Sequence, residues 1–117
     1  YVKERKAFGK PIAGFQNTQF KIAEMHTKLE VARAYVDRCL ELHLKKELDI
    51  PTAAAGKYYI TDLQCEVIDE CLQLHGGYGY MWEYPIARMF ADSRVQRIYG
   101  GTNEIMKGIV AKAVLAD

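Results

Sequence analysis

Residues 22–43 decide the fold, and they read IAEMHTKLEVARAYVDRCLELH. Within them, side chains suited to a helix seam recur in alternating steps of three and four: Ile22, Met25, Leu29, Ala32, Val36, Cys39 and His43. This spacing predicts one face of a helix about 30 residues long, or about 45 Å at 1.5 Å per residue. We expect the seam to form the core of a bundle, with His43 as a core histidine. Because Tyr and Phe also lie off the seam, we expect a second face for another subunit.

The rest of the chain shows helical spacing between breaks at prolines and glycine clusters. Thr52 is predicted to cap a helix that ends at His75, where a glycine takes the left-handed position. A further helix begins at Pro85 and ends near Arg97, and a last one covers residues 103–116. The uncapped start indicates the end of a helix already under way. With no alternating strand, we predict an all-α fold, an antiparallel four-helix up-and-down bundle with an N-terminal helix remnant.

Composition narrows the class of protein. Of 117 residues half are hydrophobic, and 16 Lys and Arg against 15 Asp and Glu give a net charge of +1. This balance excludes a disordered tail and argues against a dedicated nucleic-acid binder, which would carry a basic excess. Three cysteines without C-x-x-C spacing indicate buried free thiols in a reducing compartment, with no disulfide scaffold and no metal site. No stretch is long and apolar enough to span a membrane, and the charged start is not a signal peptide.

Three segments combine glycine, a helix end and polar groups, a combination that suits a large anionic ligand. In the first, residues 5–10, Arg5 offers a planar cationic fork for pyrophosphate and Phe8 an aromatic face. In the second, residues 73–79, glycines and aromatics would let the backbone approach a flat ligand closely. In the third, Gly100-Gly101-Thr102 leads into a helix whose first N–H groups favour an anion.

Each segment also has an ordinary structural explanation. The first could be a solvated basic helix end, the second a glycine helix end with His75 as a capping residue, and the third a helix start whose dipole Glu104 satisfies. Taken together, the three indicate a nucleotide-like cofactor. No acid–base pair, Ser/His/Asp set or metal cluster stands out beside them, because the three histidines are widely spaced.

The same segments, in the same order, strongly resemble acyl-CoA dehydrogenases. The matching stretches are Arg5 to Lys10, Phe15-Gln16, Gln73 to Tyr80, Tyr84-Pro85 and Asp92 to Ile105. The resemblance covers the family's C-terminal helical domain, so residues 1–117 are expected to be that domain, with the N-terminal helical and middle β-domains absent. It implies an FAD-dependent enzyme that removes two hydrogens from the α and β carbons of an acyl-CoA substrate, as in fatty-acid β-oxidation. Electron-transferring flavoprotein would then reoxidise the flavin.

The resemblance also assigns roles to individual positions. Arg5, Lys6 and Ala7 match the segment at the FAD pyrophosphate, Phe8 matches the aromatic beside that cofactor, and Phe15 and Gln16 match a further FAD contact. The stretch that receives the FAD of the adjacent subunit corresponds to Gln73, Leu74, His75, Gly76 and Gly77. The helix start that contacts the flavin corresponds to Thr102, Asn103 and Glu104, and Gly101 lies beside the substrate thioester.

One position departs from many members of the family. They carry the catalytic Glu where this chain has Gly100, and glycine cannot abstract a proton. In the long-chain and isovaleryl branches the base lies on an earlier helix, so we expect it upstream of Tyr1 and no catalytic residue in this chain. Residues 81–85 and 100–107 resemble the long-chain branch in particular.

The resemblance further implies a homo-oligomer, a dimer of dimers, in the bacterial cytoplasm or the mitochondrial matrix. The isolated chain is expected to be inactive, since it would lack the base and the β-domain that covers the flavin. A stand-alone helical oligomerisation module without catalysis is the alternative that the sequence leaves open.

Overall fold

Four helices make up most of the chain in the computed structural model, which describes residues 1–116. In chain order the elements are β1 (Lys6–Ala7), β2 (Lys10–Pro11), α1 (Gln16–Leu44), α2 (Ile50–His75), α3 (Pro85–Ser93) and α4 (Asn103–Val114). Short 3₁₀ segments cover Ile12–Gly14, Gly76–Tyr80 and Arg94–Arg97. The predicted all-α four-helix architecture is confirmed, with two long helices and two short ones.

Helices α1 and α2 run antiparallel along the long axis of the molecule, which measures 60 × 26 × 24 Å. Near the start of α1, Lys21 forms an ion pair with Glu70 near the end of α2. Towards the other end, the Tyr35 hydroxyl donates to the Thr52 carbonyl at 2.9 Å. Both α3 and α4 pack against α2. Helix α2 is therefore the central element, and it positions the other three.

Only part of the predicted seam on α1 is buried. Met25 and Ala32 are 8% and 5% exposed, whereas Leu29 is 46% exposed. His43 is also exposed, so the prediction of a core histidine is wrong. The reason is that α1 packs mainly against α2, while α3 and α4 cover other parts of α2. The buried apolar core consists of Met25, Ala32, Ala54, Leu63, Ile86 and Ala87.

The helix ends differ in part from the prediction: α3 ends at Ser93 and a 3₁₀ turn covers Arg94–Arg97, where the sequence predicts one helix to about Arg97. Asp49, not Thr52, caps α2: its carboxylate accepts from the Thr52 backbone N–H at 2.7 Å. At the other end of α2, Gly76 has φ +60° and ψ −141°, which lies close to a region that only glycine adopts readily. The predicted need for glycine after His75 is thus confirmed, although the conformation is not the left-handed helical one.

The predicted N-terminal helix remnant is wrong. Residues 2–4 form a turn, and β1 and β2 form an antiparallel hairpin in which Lys6 faces Pro11 and Ala7 faces Lys10. The pairing continues outside the hairpin, since Ile12 N donates to Arg5 O at 2.9 Å. Strands of two residues are too short for an alternating pattern, so the sequence carries no periodic signal for them.

The described residues contain neither a helix suited to span a membrane nor a metal-binding group of side chains. Among residues 1–116, no helix is long and apolar enough to cross a membrane. The same residues contain no group of His, Cys, Asp and Glu side chains arranged to hold a metal ion.

Candidate functional site

A cleft of ≈ 600 Å³ opens between the N-terminal hairpin and the end of α2. It lies where the first and second glycine-containing segments meet, although about 70 residues separate them in the sequence. Its walls are formed by Tyr1, Arg5, Ala7, Ile12, Gln73, Leu74, His75, Gly76, Gly77, Tyr78 and Met81. A volume of this size is ordinary for a small-molecule or cofactor site. Seven of the residues predicted from sequence to bind cofactor therefore line one space: Arg5, Ala7, Gln73, Leu74, His75, Gly76 and Gly77.

Arg5 brings a positive charge to this cleft. Its guanidinium lies 5.1 Å from the centroid of the Tyr78 ring, so an aromatic face supports it from one side. The residue is exposed, which leaves the planar N–H groups accessible to a ligand. A guanidinium in this setting can bind two oxygens of a phosphate at once.

Phe8, in the turn of the hairpin, has an unusual backbone conformation and an exposed side chain. Phe8 has φ +52° and Gly9 has φ +82°, so both central residues of the two-residue turn have positive φ, as in a type I′ turn. A phenylalanine in this conformation is strained, and its side chain is 97% exposed. Strain combined with an uncovered aromatic ring is typical of a residue that contacts a ligand or another surface.

The glycines after α2 have different roles. A Cβ on Gly76 or Gly77 would meet no atom within 4 Å, so the backbone is open to a ligand on that side. Gly79 is buried, and a Cβ there would lie 2.5 Å from the Leu72 carbonyl oxygen. The expectation that Gly79 serves close approach to a ligand is therefore wrong, because internal packing against α2 explains it.

His75 is engaged in structural contacts. Its Nδ1 donates to the Cys71 carbonyl at 2.7 Å, and its ring stacks on Tyr1 with centroids 4.2 Å apart. The Tyr1 hydroxyl donates to the His75 carbonyl at 3.2 Å. These contacts are consistent with a histidine that ends the helix and not with a catalytic base. They also attach the first residue of the chain to the end of α2, which sets one wall of the cleft.

Four further predicted residues lie near the cleft without lining it. Phe8 and Phe15 contact each other edge to face at 6.2 Å between centroids, and Lys10 Nζ lies 4.3 Å from the Phe15 ring centroid. Lys6 is an exposed residue of β1, and Gln16 is the exposed first residue of α1. They continue the hairpin surface beyond Arg5 and Ala7.

The third predicted segment does not join this cleft. It packs beside Lys57 on α2, and the stretch from Lys57 to Gln73 spans about 24 Å along the helix. Thr102 caps α4 by accepting from the Ile105 N–H at 3.4 Å, and Glu104 is exposed in the first turn, as predicted. Gly100 and Gly101 both have positive φ, at +65° and +91°.

The Asn103 side chain is not accessible to a ligand. Its side chain is enclosed by α2, the residue is only 2% exposed, and its amide is hydrogen-bonded to Asp62 at 2.9 Å. The predicted contribution of Asn103 to a cofactor can therefore come only from its backbone. Sequence reasoning missed Lys57 and Asp62, its partners on α2, because two charged residues on a long helix carry no signal of a buried contact.

Burial raises the pKa of the Cys71 thiol above its usual value. All three cysteines are free, as predicted, but they are half-buried where the sequence predicts burial, and Cys71 Sγ lies 3.8 Å from Met25 Sδ. A partly buried thiol with a raised pKa is a weak nucleophile, because less of it is thiolate. Cys71 is therefore a packing residue, and the chemistry of the cleft rests on Arg5 and the exposed backbone.

Comparison with known proteins gives consistent matches. A family profile described as acyl-CoA dehydrogenase, C-terminal domain, matches residues 1–115. The mitochondrial long-chain specific acyl-CoA dehydrogenase of Mus musculus is 56% identical over all 117 residues, which cover 27% of that protein. The crystal structure of an acyl-CoA dehydrogenase from Geobacillus kaustophilus superposes with a TM-score of 0.96 at 46% identity, covering 98% of this chain and 30% of that one.

A third match is a structure titled as the electron transferring flavoprotein of Acidaminococcus fermentans. It has a TM-score of 0.96 at 38% identity and covers all of this chain and 31% of that chain. The chain thus spans less than a third of the length of each of these three proteins.

Proposed function

This chain belongs to the acyl-CoA dehydrogenase family, whose C-terminal domain it matches, and on that premise we propose that it forms part of an FAD-dependent acyl-CoA dehydrogenase. The complete protein would remove two hydrogens from the α and β carbons of an acyl-CoA thioester. The observation that carries the proposal is the cleft in which Arg5 faces the exposed backbone of Gly76 and Gly77. The alternative, an oligomerisation module without chemistry, would not need this arrangement.

The residues present fit part of an FAD molecule. Arg5 would bind the pyrophosphate through its guanidinium, and the open side of Gly76 and Gly77 would let the cofactor approach the backbone closely. Phe8, strained and uncovered, would pack against a flat part of the cofactor. The FAD, when bound, supplies the acceptor for the β hydrogen as hydride.

A second group of residues would serve the acyl-CoA end of the reaction. Gly101 would lie beside the thioester, and the start of α4 at Thr102 and Glu104 would contact the flavin. These residues pack beside Lys57, which lies about 24 Å along α2 from Gln73 in the cleft. The cleft and the start of α4 would therefore contact different parts of one FAD molecule or two different FAD molecules. We place the catalytic base outside this chain, since Gly100 has no side chain to accept a proton.

Assembly into a dimer of dimers would bring one chain's cleft to the FAD of another. Exposed apolar side chains on α1 support this proposal, among them Phe20, Val31, Leu40 and Leu44, which are 54% to 83% exposed. Large apolar side chains with this exposure are favoured to pack against another protein surface. Electron-transferring flavoprotein would be the electron acceptor, and the compartment would be the mitochondrial matrix or the bacterial cytoplasm.

The test uses the complete protein that carries this domain. We expect it to purify with bound flavin, and the flavin band to bleach when acyl-CoA is added. Arg5→Met should weaken flavin binding about 10- to 100-fold, because a charged hydrogen-bond partner is lost. Lys3→Met, two residues before Arg5 and outside the cleft lining, is the matched control and should retain flavin. A colourless protein that does not respond to acyl-CoA would refute the proposal.

A further inference from the structure

Two charged side chains on α2 hold the turn between α3 and α4. Lys57 Nζ donates to the Gly101 carbonyl at 2.7 Å and to Asn103 Oδ1 at 2.7 Å. Asp62 Oδ1 accepts from Arg97 Nε at 2.6 Å and from Asn103 Nδ2 at 2.9 Å. The turn is thus fixed at Arg97 before it, at the Gly101 carbonyl within it and at Asn103 after it.

Asn103 connects these contacts into one network. It is 2% exposed, and the two hydrogens on its Nδ2 are shared among three acceptors, Asp62 Oδ1, Thr61 Oγ1 at 2.9 Å and the Tyr58 carbonyl at 3.2 Å. Thr61 in turn donates to the Lys57 carbonyl at 2.8 Å. The network is part-buried around Asn103. Such a network restricts motion when its members are paired, and losing one member leaves the buried Asn103 amide without one of its partners.

The two glycines of the turn cannot hold its position through side chains of their own. Gly100 and Gly101 have no side chains, and their positive φ values are a conformation that other residues rarely adopt. A Cβ on Gly101 would lie 2.4 Å from Met106 Cε, so this position is also closely covered. The location of the turn therefore depends on groups that bind its backbone, of which Lys57 is one.

We propose that Lys57 and Asp62 are positioning residues that fix the Gly100–Gly101 turn for the reaction. The inference rests on the proposed function, in which Gly101 lies beside the thioester. A carbonyl tied to an ammonium on a 26-residue helix moves little relative to that helix. Displacement of a substrate-positioning group by about 1 Å can slow a reaction about 100-fold. The network would thus act on turnover although none of its α2 members touches substrate.

The test replaces Lys57 in the complete protein. Lys57→Met removes the donor and keeps the length of the side chain. We expect kcat to fall about 10- to 100-fold with little change in KM, and backbone amides of residues 100–104 to exchange hydrogen faster. Lys57→Arg keeps a cationic donor and should recover part of the loss. Lys21→Met removes the α1–α2 ion pair with Glu70 instead and should change neither measurement.

A second variant decides the question if Lys57→Met does not fold. Thr61→Val is nearly isosteric and removes the hydroxyl that pairs with Asn103. Faster exchange at residues 100–104 in that variant would support the network. Unchanged exchange and unchanged kcat in a folded variant would overturn it. A protein without flavin would refute the proposed function alone, because hydrogen exchange reports on the turn without any reaction.

Discussion

The imidazole of His75 stacks on the ring of Tyr1, with centroids 4.2 Å apart and an angle of 25° between the planes. This contact joins the start of the chain to the last residue of α2. It holds the hairpin beside the end of α2, since only the turn at residues 2–4 separates Tyr1 from Arg5 and β1. The relationship gives the first of four predictions.

Tyr1→Leu should destabilise the fold by about 0.5–1.5 kcal/mol, because an aromatic contact and the hydrogen bond to the His75 carbonyl are lost. Hydrogen exchange should become faster at the hairpin amides and stay unchanged in the middle of α1. Tyr80→Leu is the control, since Tyr80 is 90% exposed. Equal effects of the two substitutions would contradict the prediction.

Gly79→Ala should lower the free energy of unfolding by about 1–3 kcal/mol. The added Cβ would lie 2.5 Å from the Leu72 carbonyl oxygen, which belongs to the helix and cannot move aside easily. Gly77→Ala, two residues away, adds the same methyl group to open space and should have little effect. Urea denaturation of the two variants compares them directly, and a loss of stability in Gly77→Ala alone would reverse our interpretation.

Phe8→Asn should stabilise the fold and weaken flavin binding. Asparagine tolerates the positive φ of the hairpin turn, so relief of strain should add about 1 kcal/mol. The aromatic ring, 97% exposed, contributes little to the folded chain but would be lost to the cofactor. Gly9→Ala should destabilise the fold, because alanine rarely adopts the φ of +82° found at Gly9. No atom lies within 4 Å of the added Cβ, so the effect would come from backbone strain and not from a clash. A Phe8→Asn protein with undiminished flavin content would show that the ring has no part in binding.

Stability should fall in acid partly through Asp49. The backbone N–H of Thr52 holds the pKa of the Asp49 carboxyl below its ordinary value of 3.8. Because the pKa is lower in the folded chain than in the unfolded chain, the ionised carboxyl stabilises the fold at pH values above the ordinary pKa. This stabilisation is lost as the pH falls through the lowered pKa. Asp49→Asn keeps an oxygen that can cap α2 but does not titrate. The free energy of unfolding, measured from pH 6 down to about pH 2, should therefore depend less on pH in Asp49→Asn than in the unaltered chain.

The sequence predicted the parts of the fold that depend on periodic patterns. The seam from Ile22 to His43 identified a helix of the right length, and the breaks at Pro85 and Gly100 separated the right elements. Burial could not be read from the same pattern, because exposure of Leu29 and His43 depends on which helices pack against α1. The sequence pointed to Thr52 as the N-cap of α2, whereas the structure shows Asp49 in that role. Both residue types can accept a hydrogen bond from a helix N–H, and local backbone geometry selects between them.

The candidate site was predictable where a segment had several unusual residues together. Arg5, Gly76 and Gly77 carried that signal, and the fold places them in one cleft. Lys57 and Asp62 carried none, because their role depends on a turn about 40 residues later in the chain. The contact of Tyr1 with His75 likewise depends on tertiary structure alone.

Helix α2 carries both groups of residues, the network at Lys57 and the cleft at Gln73, on one continuous run of hydrogen-bonded turns. Each added or deleted residue between them would rotate one group by about 100° and shift it about 1.5 Å relative to the other. We therefore expect a change of length to be tolerated in the connection before α2, at residues 45–49, and not within residues 57–73. The interior of α2 serves as a fixed spacer, and the number of its residues is as much a part of the site as their identity.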